Sequence, residues 1–554
     1  MTSQPPPGIK LRDALASPPP PGATLASLVL FASLAALMGM VYAGAEWYWS
    51  GAFGFSSDAA WVRAVLARNL ASGHGLSFNP DVPVAGAAAP AWIVLLAIGG
   101  HFTGYVFAAK VIAVICVVLA AFLVWRVTLD LLGDWRFAVL AGLMVVSSPG
   151  LMAAALGGGE AALSALLIAA LLYWQGLGWS GSGRQRVIGS VAAAAAALSR
   201  PELMLALPLI AVDRWLVTPW QARPGRRVVD GIAHSLPELV LAALLLVPYV
   251  VFSSRAGGPL WQQPEVALRG QPALAWATAA IAGLWASNPL LLCAAVLGLP
   301  VAALAAARPT SRYPSFLPVL TLLVVTLAPG LVWRYADRQG GAMTASYLTP
   351  VVAILGSAGL FFLKRVAGTV LLRSRRRVAR RAFSEVIGIT IAGLFAVGWF
   401  AHARQWNQHG IGVRKVSNLQ VCAGQWAADR AAPDASIASR EIGAIGFFSH
   451  RRMVDLGGTI DQEGLAYLRR AGSPDSNLLA YLQKAQPSYL AIRPSDFPDL
   501  SQRADLLALA QTCGEKDPLS GGVTALVLYE TIWPAPSVRA ARQEGLPDER
   551  SRRR

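Results

Sequence analysis

The sequence predicts a polytopic α-helical membrane protein, with about 11 transmembrane helices and a C-terminal extracytoplasmic α/β domain. Three observations carry this. Apolar runs of about 18 residues recur up to residue 401, the length that crosses a hydrocarbon core. Only 14% of the 554 residues are charged, against roughly 25% in soluble chains. After residue 402 the pattern changes to short apolar runs alternating with helical stretches, as in a small α/β domain.

The elements follow in order. Residues 1–23 hold "PPPG" and "SPPPPG" and read as a disordered cytoplasmic N-terminus. The first apolar run, 24–44, is longer than the roughly 7–15 residues of a signal-peptide core, so it reads as a retained span. Further spans fall at 105–129, 137–154, 161–178, 187–199, 202–217, 236–252, 289–307, 316–333, 346–363 and 384–401. Two of them, 187–199 and 202–217, are short and flank "SRPE". They read as tilted or broken helices whose backbone the surrounding protein must cover. Residues 24–401 therefore form one transmembrane domain with a large external loop at 45–104.

Charge sets the orientation. Residues 1–401 hold 28 of the 47 Lys and Arg but 14 of the 30 Asp and Glu, so most of the net +17 sits in the membrane part. Lys364, Arg365, Arg373, Arg375, Arg376, Arg377, Arg380 and Arg381 crowd one short loop. Such a cluster marks the cytoplasmic side of the membrane. Loops 130–136, 179–186, 213–235 and 308–315 then share that side. Segments 45–104, 253–288, 334–345 and everything after 402 face outward. Basic loops of this kind, without a groove-binding module, exclude nucleic acid as a partner.

In the external loop, Trp61, Val62, Val65, Leu66 and Leu70 fall on about half of a helical wheel, with Arg63 and Arg68 at its edges. This suits a helix lying in the membrane interface, its arginines on headgroup phosphates. Ser57 or Asp58 can cap it. "SGHG" ends it, and "AAAPAWIVLLAIGGHF" reads as a second interfacial or re-entrant piece. Residues 402–533 contain "ASIASREIGAIGFFSHRRMVDLGG", a strand, short helix and strand, and "PSYLAIR", another strand. Cys422 and Cys513 lie here, and both a disulfide and two separate buried thiols fit. The polar tail 534–554 ends "RSRRR" and reads as disordered.

Several of these segments, in this order, resemble a branch of the GT-C superfamily, membrane glycosyltransferases that use polyprenyl-phosphate-linked sugars. The resemblance begins with Asp58-Ala59-Ala60-Trp61, Ala67-Arg68-Asn69-Leu70-Ala71, Gly73-His74-Gly75 and Phe78-Asn79-Pro80, then Gly86, Pro90 and Trp92. It continues through "ALGGGEAAL" (155–163), "ALSRPELMLAL" (197–207), "SYLTPVV" (346–352) and the strand–helix–strand stretch at 435–458. It implies a GT-C-like fold and an external-loop aspartate that acts as catalytic base. A polyprenyl-phosphate sugar would be the donor. The acceptor would be an external glycan, lipid or protein, and displacement would invert the anomeric carbon.

Carried onto this chain, the resemblance makes Asp58 the base; the residue type alone makes it a helix cap. Glu160 matches the acidic residue of the "GGGE" stretch, for sugar or acceptor binding or for the helix dipole. Arg200 and Glu202 are ionisable groups between short apolar helices, hence site candidates, with Arg200 to grip the lipid phosphate; a mutual ion pair or snorkelling to headgroups is the alternative. Lys110 matches a family position early in the second span; snorkelling to headgroups is the alternative. Arg334 and Arg338 are cations in an external loop suited to phosphate. His74 sits in a glycine turn, as a site residue or a structural one. The chain departs from the family at Ala59, which replaces a second aspartate, at Ser346, which replaces an arginine, and at residues 87–89, all Ala. A divalent metal stays open as a cofactor, but Ala59 removes the second carboxylate it would use. No HExxH, CxxC, G-x-S-x-G or P-loop occurs. The alternative function is a non-catalytic glycolipid-binding scaffold or a membrane transporter.

Overall fold

The structure is a computed structural model that describes residues 19–80, 82–85, 89–176, 183–217, 224–256, 275–307, 312–332, 345–373, 377–516, 518 and 521–533. The loop 334–345, apart from Ala345, residues 257–274 of the stretch 253–288, residues 86–88 and both chain ends lie outside these residues. The chain divides into two compact units, up to Ser417 and from Asn418 onward.

The first unit is helical. Its elements are α1 (Ala23–Ser50), α2 (Asp58–Ala71), α3 (Pro90–Thr103), α4 (Tyr105–Leu132), α5 (Trp135–Val146), α6 (Pro149–Leu156), α7 (Ala161–Gly176) and α8 (Gly183–Ser199). A 3-10 turn (Pro201–Leu205) leads to α9 (Ala206–Val217), α10 (Pro224–Arg255), α11 (Ala275–Ser287), α12 (Pro289–Ala306) and α13 (Leu317–Val332). A second 3-10 turn (Ser346–Leu348) opens α14 (Thr349–Arg373), and α15 (Arg377–Val416) closes the unit. Among the described residues five helices are long and apolar enough to cross a membrane. The pair α5 and α6, bent by 45° where Ser148 and Pro149 start a new helix, passes the same test when taken together, as a broken span or a re-entrant loop.

Two sequence expectations change here. The stretch 253–288, expected as an external loop, contains a helix, α11. The span expected to end at 401 runs on to Val416 as one helix, because no Pro interrupts residues 402–416 and Gly410 and Gly412 stay helical. The helices cohere by close approach of small residues. At the α12–α14 crossing a Cβ on Gly298 would lie 1.8 Å from the Leu355 carbonyl oxygen, and one on Gly359 would lie 2.0 Å from that of Ala294.

Helix α7 occupies a central place, against α4, α8 and α14. Its C-terminal end is tied by a buried polar cluster. Asp213 accepts from Gln175 Nε2 (2.7 Å), Ser315 Oγ (2.8 Å) and the Phe316 N–H (2.5 Å). Arg214 donates to both oxygens of Glu238, at 2.9 and 3.3 Å, and lies over the Trp174 ring.

The second unit is α/β. It contains α16 (Cys422–Arg430), β1 (Ser436–Ser439), α17 (Gly443–Ser449), β2 (Arg452–Asp455), α18 (Gln462–Leu468), α19 (Pro474–Ala485), β3 (Tyr489–Ile492), α20 (Pro498–Ser501), β4 (Leu507–Lys516) and β5 (Val523–Thr531). The sheet order is β2-β1-β3-β5-β4, parallel over the first three strands and antiparallel over the rest. Leu478, Leu482, Leu490, Ile492 and Leu500 form its core with Val527. Asp455 at the end of β2 accepts from the backbone N–H groups of Gly457, Gly458, Ile460 and Asp461, which fixes the following turn. Burial pushes its carboxyl above the ordinary range despite these bonds. Cys422 and Cys513 are disulfide-bonded, joining α16 to β4.

Candidate functional site

The first loop folds through its own sequence. Ser57 adopts extended backbone and precedes α2 without a side-chain cap bond, so Asp58 is the first helical residue. A carboxylate is favoured in that first turn by the helix dipole. Asn69 closes the far end: its Nδ2 donates to the carbonyls of Ser77 (2.9 Å) and Phe78 (2.7 Å). The helix is not the one-sided interfacial element expected. Ala60, Trp61, Val62, Ala64, Val65, Leu66, Ala67 and Asn69 are all buried, which covers most of the wheel. Arg63 therefore turns inward to Glu160, at 2.8 Å, instead of reaching headgroups. A low-dielectric interior favours a carboxylate partner for a guanidinium that cannot reach water.

Gly158, two residues before Glu160, is required by what packs on it. Gly158 has φ +89°, and a Cβ there would lie 2.4 Å from the Phe55 ring. Trp92, from the start of α3, donates to the Gly158 carbonyl at 3.1 Å. Phe55, Arg63 and Trp92 thus bring three parts of the first loop onto the "GGGE" turn.

Arg200 arrives from the other side. Ser199 and Ser164 share a hydrogen bond of 3.1 Å, which holds the end of α8 against the first turn of α7. Arg200 then donates to Glu160 at 3.0 Å and to Glu202 at 3.2 Å, and its guanidinium lies 4.5 Å from the Tyr347 ring centre. Glu160 is 8% exposed and Glu202 3%. Burial alone would raise the Glu160 carboxyl. Arg63 and Arg200 outweigh that and hold it below the ordinary range.

Of the expected residues, Glu160, Arg200 and Glu202 come together, and Asp58 heads the helix that contributes Arg63. Lys110 stands apart from that cluster, 2.5 Å from Glu46 on α1. His74 is exposed in the turn after α2, its carbonyl accepting from Ser77 Oγ. Arg334 and Arg338 lie outside the described residues. Arg63 as an ion-pair partner, Glu46 and His409 were not foreseen. An isolated carboxylate in "AGAEWYWS" was a usable signal, since an acid inside an apolar run demands a partner. Among the described residues no three His, Cys, Asp or Glu side chains gather to hold a metal, and Ala59 offers no donor beside Asp58.

Comparisons add to this geometry. Residues 405–532 match a family described as a domain of unknown function (DUF8728). No curated protein matches the chain in sequence. Three solved structures share its architecture. The Archaeoglobus fulgidus oligosaccharyltransferase, tethered to an acceptor peptide containing the NVT sequon, is 13% identical with a TM-score of 0.60, over 93% of this chain and 74% of its own. ArnT from Cupriavidus metallidurans bound to undecaprenyl phosphate is 14% identical with a TM-score of 0.57, over 90% and 97%. The mycobacterial arabinofuranosyltransferase AftD is 16% identical with a TM-score of 0.50, over 91% of this chain and 40% of its own. The chain has the fold of GT-C membrane glycosyltransferases.

Proposed function

We propose that the protein is a glycosyltransferase that moves a sugar from a polyprenyl-phosphate donor to an extracytoplasmic glycan, lipid or protein. The observation that carries this is the arrangement at the "GGGE" turn. Two guanidiniums, Arg63 and Arg200, bracket one carboxylate, Glu160, and Arg63 belongs to the helix that Asp58 begins. Polyprenyl phosphate in the ArnT structure and the acceptor peptide in the archaeal enzyme support the classes of donor and acceptor.

The chemistry follows from charge. The acceptor hydroxyl oxygen bonds to the anomeric carbon as the bond from that carbon to the phosphate oxygen breaks. The hydroxyl proton passes to the Asp58 carboxylate. The electron pair of the broken bond stays on the polyprenyl phosphate, where Arg63 and Arg200 stabilise the growing negative charge. Glu160 pairs with both cations, and the arriving phosphate shares them. Single displacement inverts the anomeric carbon. The Cys422–Cys513 disulfide supports an oxidising compartment for the second unit, and the basic stretch 364–381 supports a cytoplasmic loop.

The test is Asp58→Asn in proteoliposomes with a labelled polyprenyl-phosphate sugar. Transfer is expected to fall by about 10²–10⁴-fold with the fold intact. Unchanged transfer would remove Asp58 as base. Ala59 favours a second reading, a glycolipid-binding scaffold. Binding of polyprenyl phosphate without transfer from any donor by the wild-type protein would select it.

A further inference from the structure

Lys110 is a candidate substrate-binding residue by its match to the family position. Its surroundings give it another task. An ammonium has three N–H donors and no more. Here all three are used: by Glu46 Oε1 at 2.5 Å, by the Gly54 carbonyl at 3.1 Å and by the Leu156 carbonyl at 3.0 Å. None is left for a phosphate.

The two carbonyls matter by position. Gly54 stands four residues before Asp58, and Leu156 stands four residues before Glu160. One ammonium therefore grips both arms of the proposed site at the same distance along the chain. The grip is itself held. Glu46 Oε2 accepts the Gly54 N–H at 3.3 Å, so Gly54 is fixed through both its backbone groups. His409 on α15 lies 2.6 Å from Glu46 Oε1 and orients that carboxylate. Glu46 and His409 side chains are 1% and 0% exposed, so water does not compete for these bonds. Between the arms, the Phe55 ring fills the place of a Gly158 side chain, and a Cβ on Gly157 would lie 3.3 Å from Ser56 Oγ.

We infer that Lys110 is a positioning residue that sets the spacing between the Asp58 arm and the Glu160 arm, and that it does not bind the donor. Its effect on transfer rests on the function proposed above; its effect on spacing does not.

The experiment uses the full chain with Cys116 and Cys293 replaced by Ala and the pair Ser56→Cys/Gly157→Cys added. With Lys110 present, copper phenanthroline closes a disulfide between the arms, read as loss of maleimide-reactive thiols. With Lys110→Met, closure is expected to slow at least tenfold. In the chain without added cysteines, Lys110→Met is expected to lower kcat about 10²-fold, the cost of a displacement of about 1 Å, with donor KM changed less than threefold. His409 still faces Glu46 in that variant. If it does not fold, Glu46→Gln/Lys110→Met removes both charges together and is read in the same way. Unchanged closure, or a raised donor KM with kcat intact, overturns the inference. A wild-type protein that transfers no sugar, yet shows Lys110-dependent closure, sinks the proposed function and leaves the positioning role standing.

Discussion

Helix α7 carries a charged cluster at each end, separated by ~24 Å along 16 residues. Both use arginine, glutamate and a helix break, yet they are built differently. At the C-terminal end, Asp213 takes three hydrogen bonds from uncharged groups, and Arg214 is held by both oxygens of one carboxylate. At the N-terminal end, Arg200 is divided between two carboxylates, and the Arg63 Nε is buried with no hydrogen-bond partner among the described residues. The first arrangement joins helices and leaves one acceptor, Gln175 Oε1, without a partner among the described residues. The second leaves a donor unused, which is what an anion entering the site requires.

The contrast can be broken most directly by truncation. Arg214→Ala leaves Glu238 buried without its main partner, at a cost of about 3–5 kcal/mol. It should abolish monodisperse protein or lower the melting temperature sharply. Arg200→Ala combined with Glu202→Gln strands no carboxylate, since Glu160 keeps Arg63, so it should instead melt within a few degrees of wild type and raise the donor KM roughly 10–100-fold, the worth of one or two charge-assisted hydrogen bonds. Equal destabilisation by the two variants would erase the distinction.

A smaller effect sharpens it. The Glu160 carboxyl is depressed by Arg63 and Arg200. Its contribution to stability is thus complete above the ordinary carboxyl value, ~4.3, and is lost as pH falls through the lower folded value. Melting temperature followed from pH 6 downward should therefore drop less steeply in Glu160→Gln than in wild type. Parallel curves would mean that the arginines do not hold this charge.

The smallest expected effect is at Ser57. Its side chain makes no cap bond, so Ser57→Ala should change stability by less than about 0.5 kcal/mol, half of an ordinary cap. A larger loss would show that the cap, and not the cluster, holds the start of α2.

Much of this was legible in the sequence. The apolar runs located most helices, and "GGGE" and "SRPE" named three of the four residues that meet. The order of strand, helix, strand and strand in the second unit was readable from its short apolar runs. Three things were not. The path of α15 beyond residue 401 was hidden because polar residues in "HARQWNQHG" resemble a loop while remaining helix-competent. The strands β4 and β5 pair antiparallel over mostly half-buried or exposed residues, which gives little apolar signal. The partners of Arg63 and Lys110 were hidden because both lie more than 40 positions away, and neither periodicity nor spacing reports a contact of that range.

The disulfide in the second unit has a practical corollary. Cys422 and Cys513 are 91 positions apart, and three parallel strands lie between them. A protease that nicks any exposed bond in this interval produces two fragments that still migrate as one species. Only a reductant separates them. A gel run with and without thiol would distinguish cuts inside this covalent ring from cuts elsewhere.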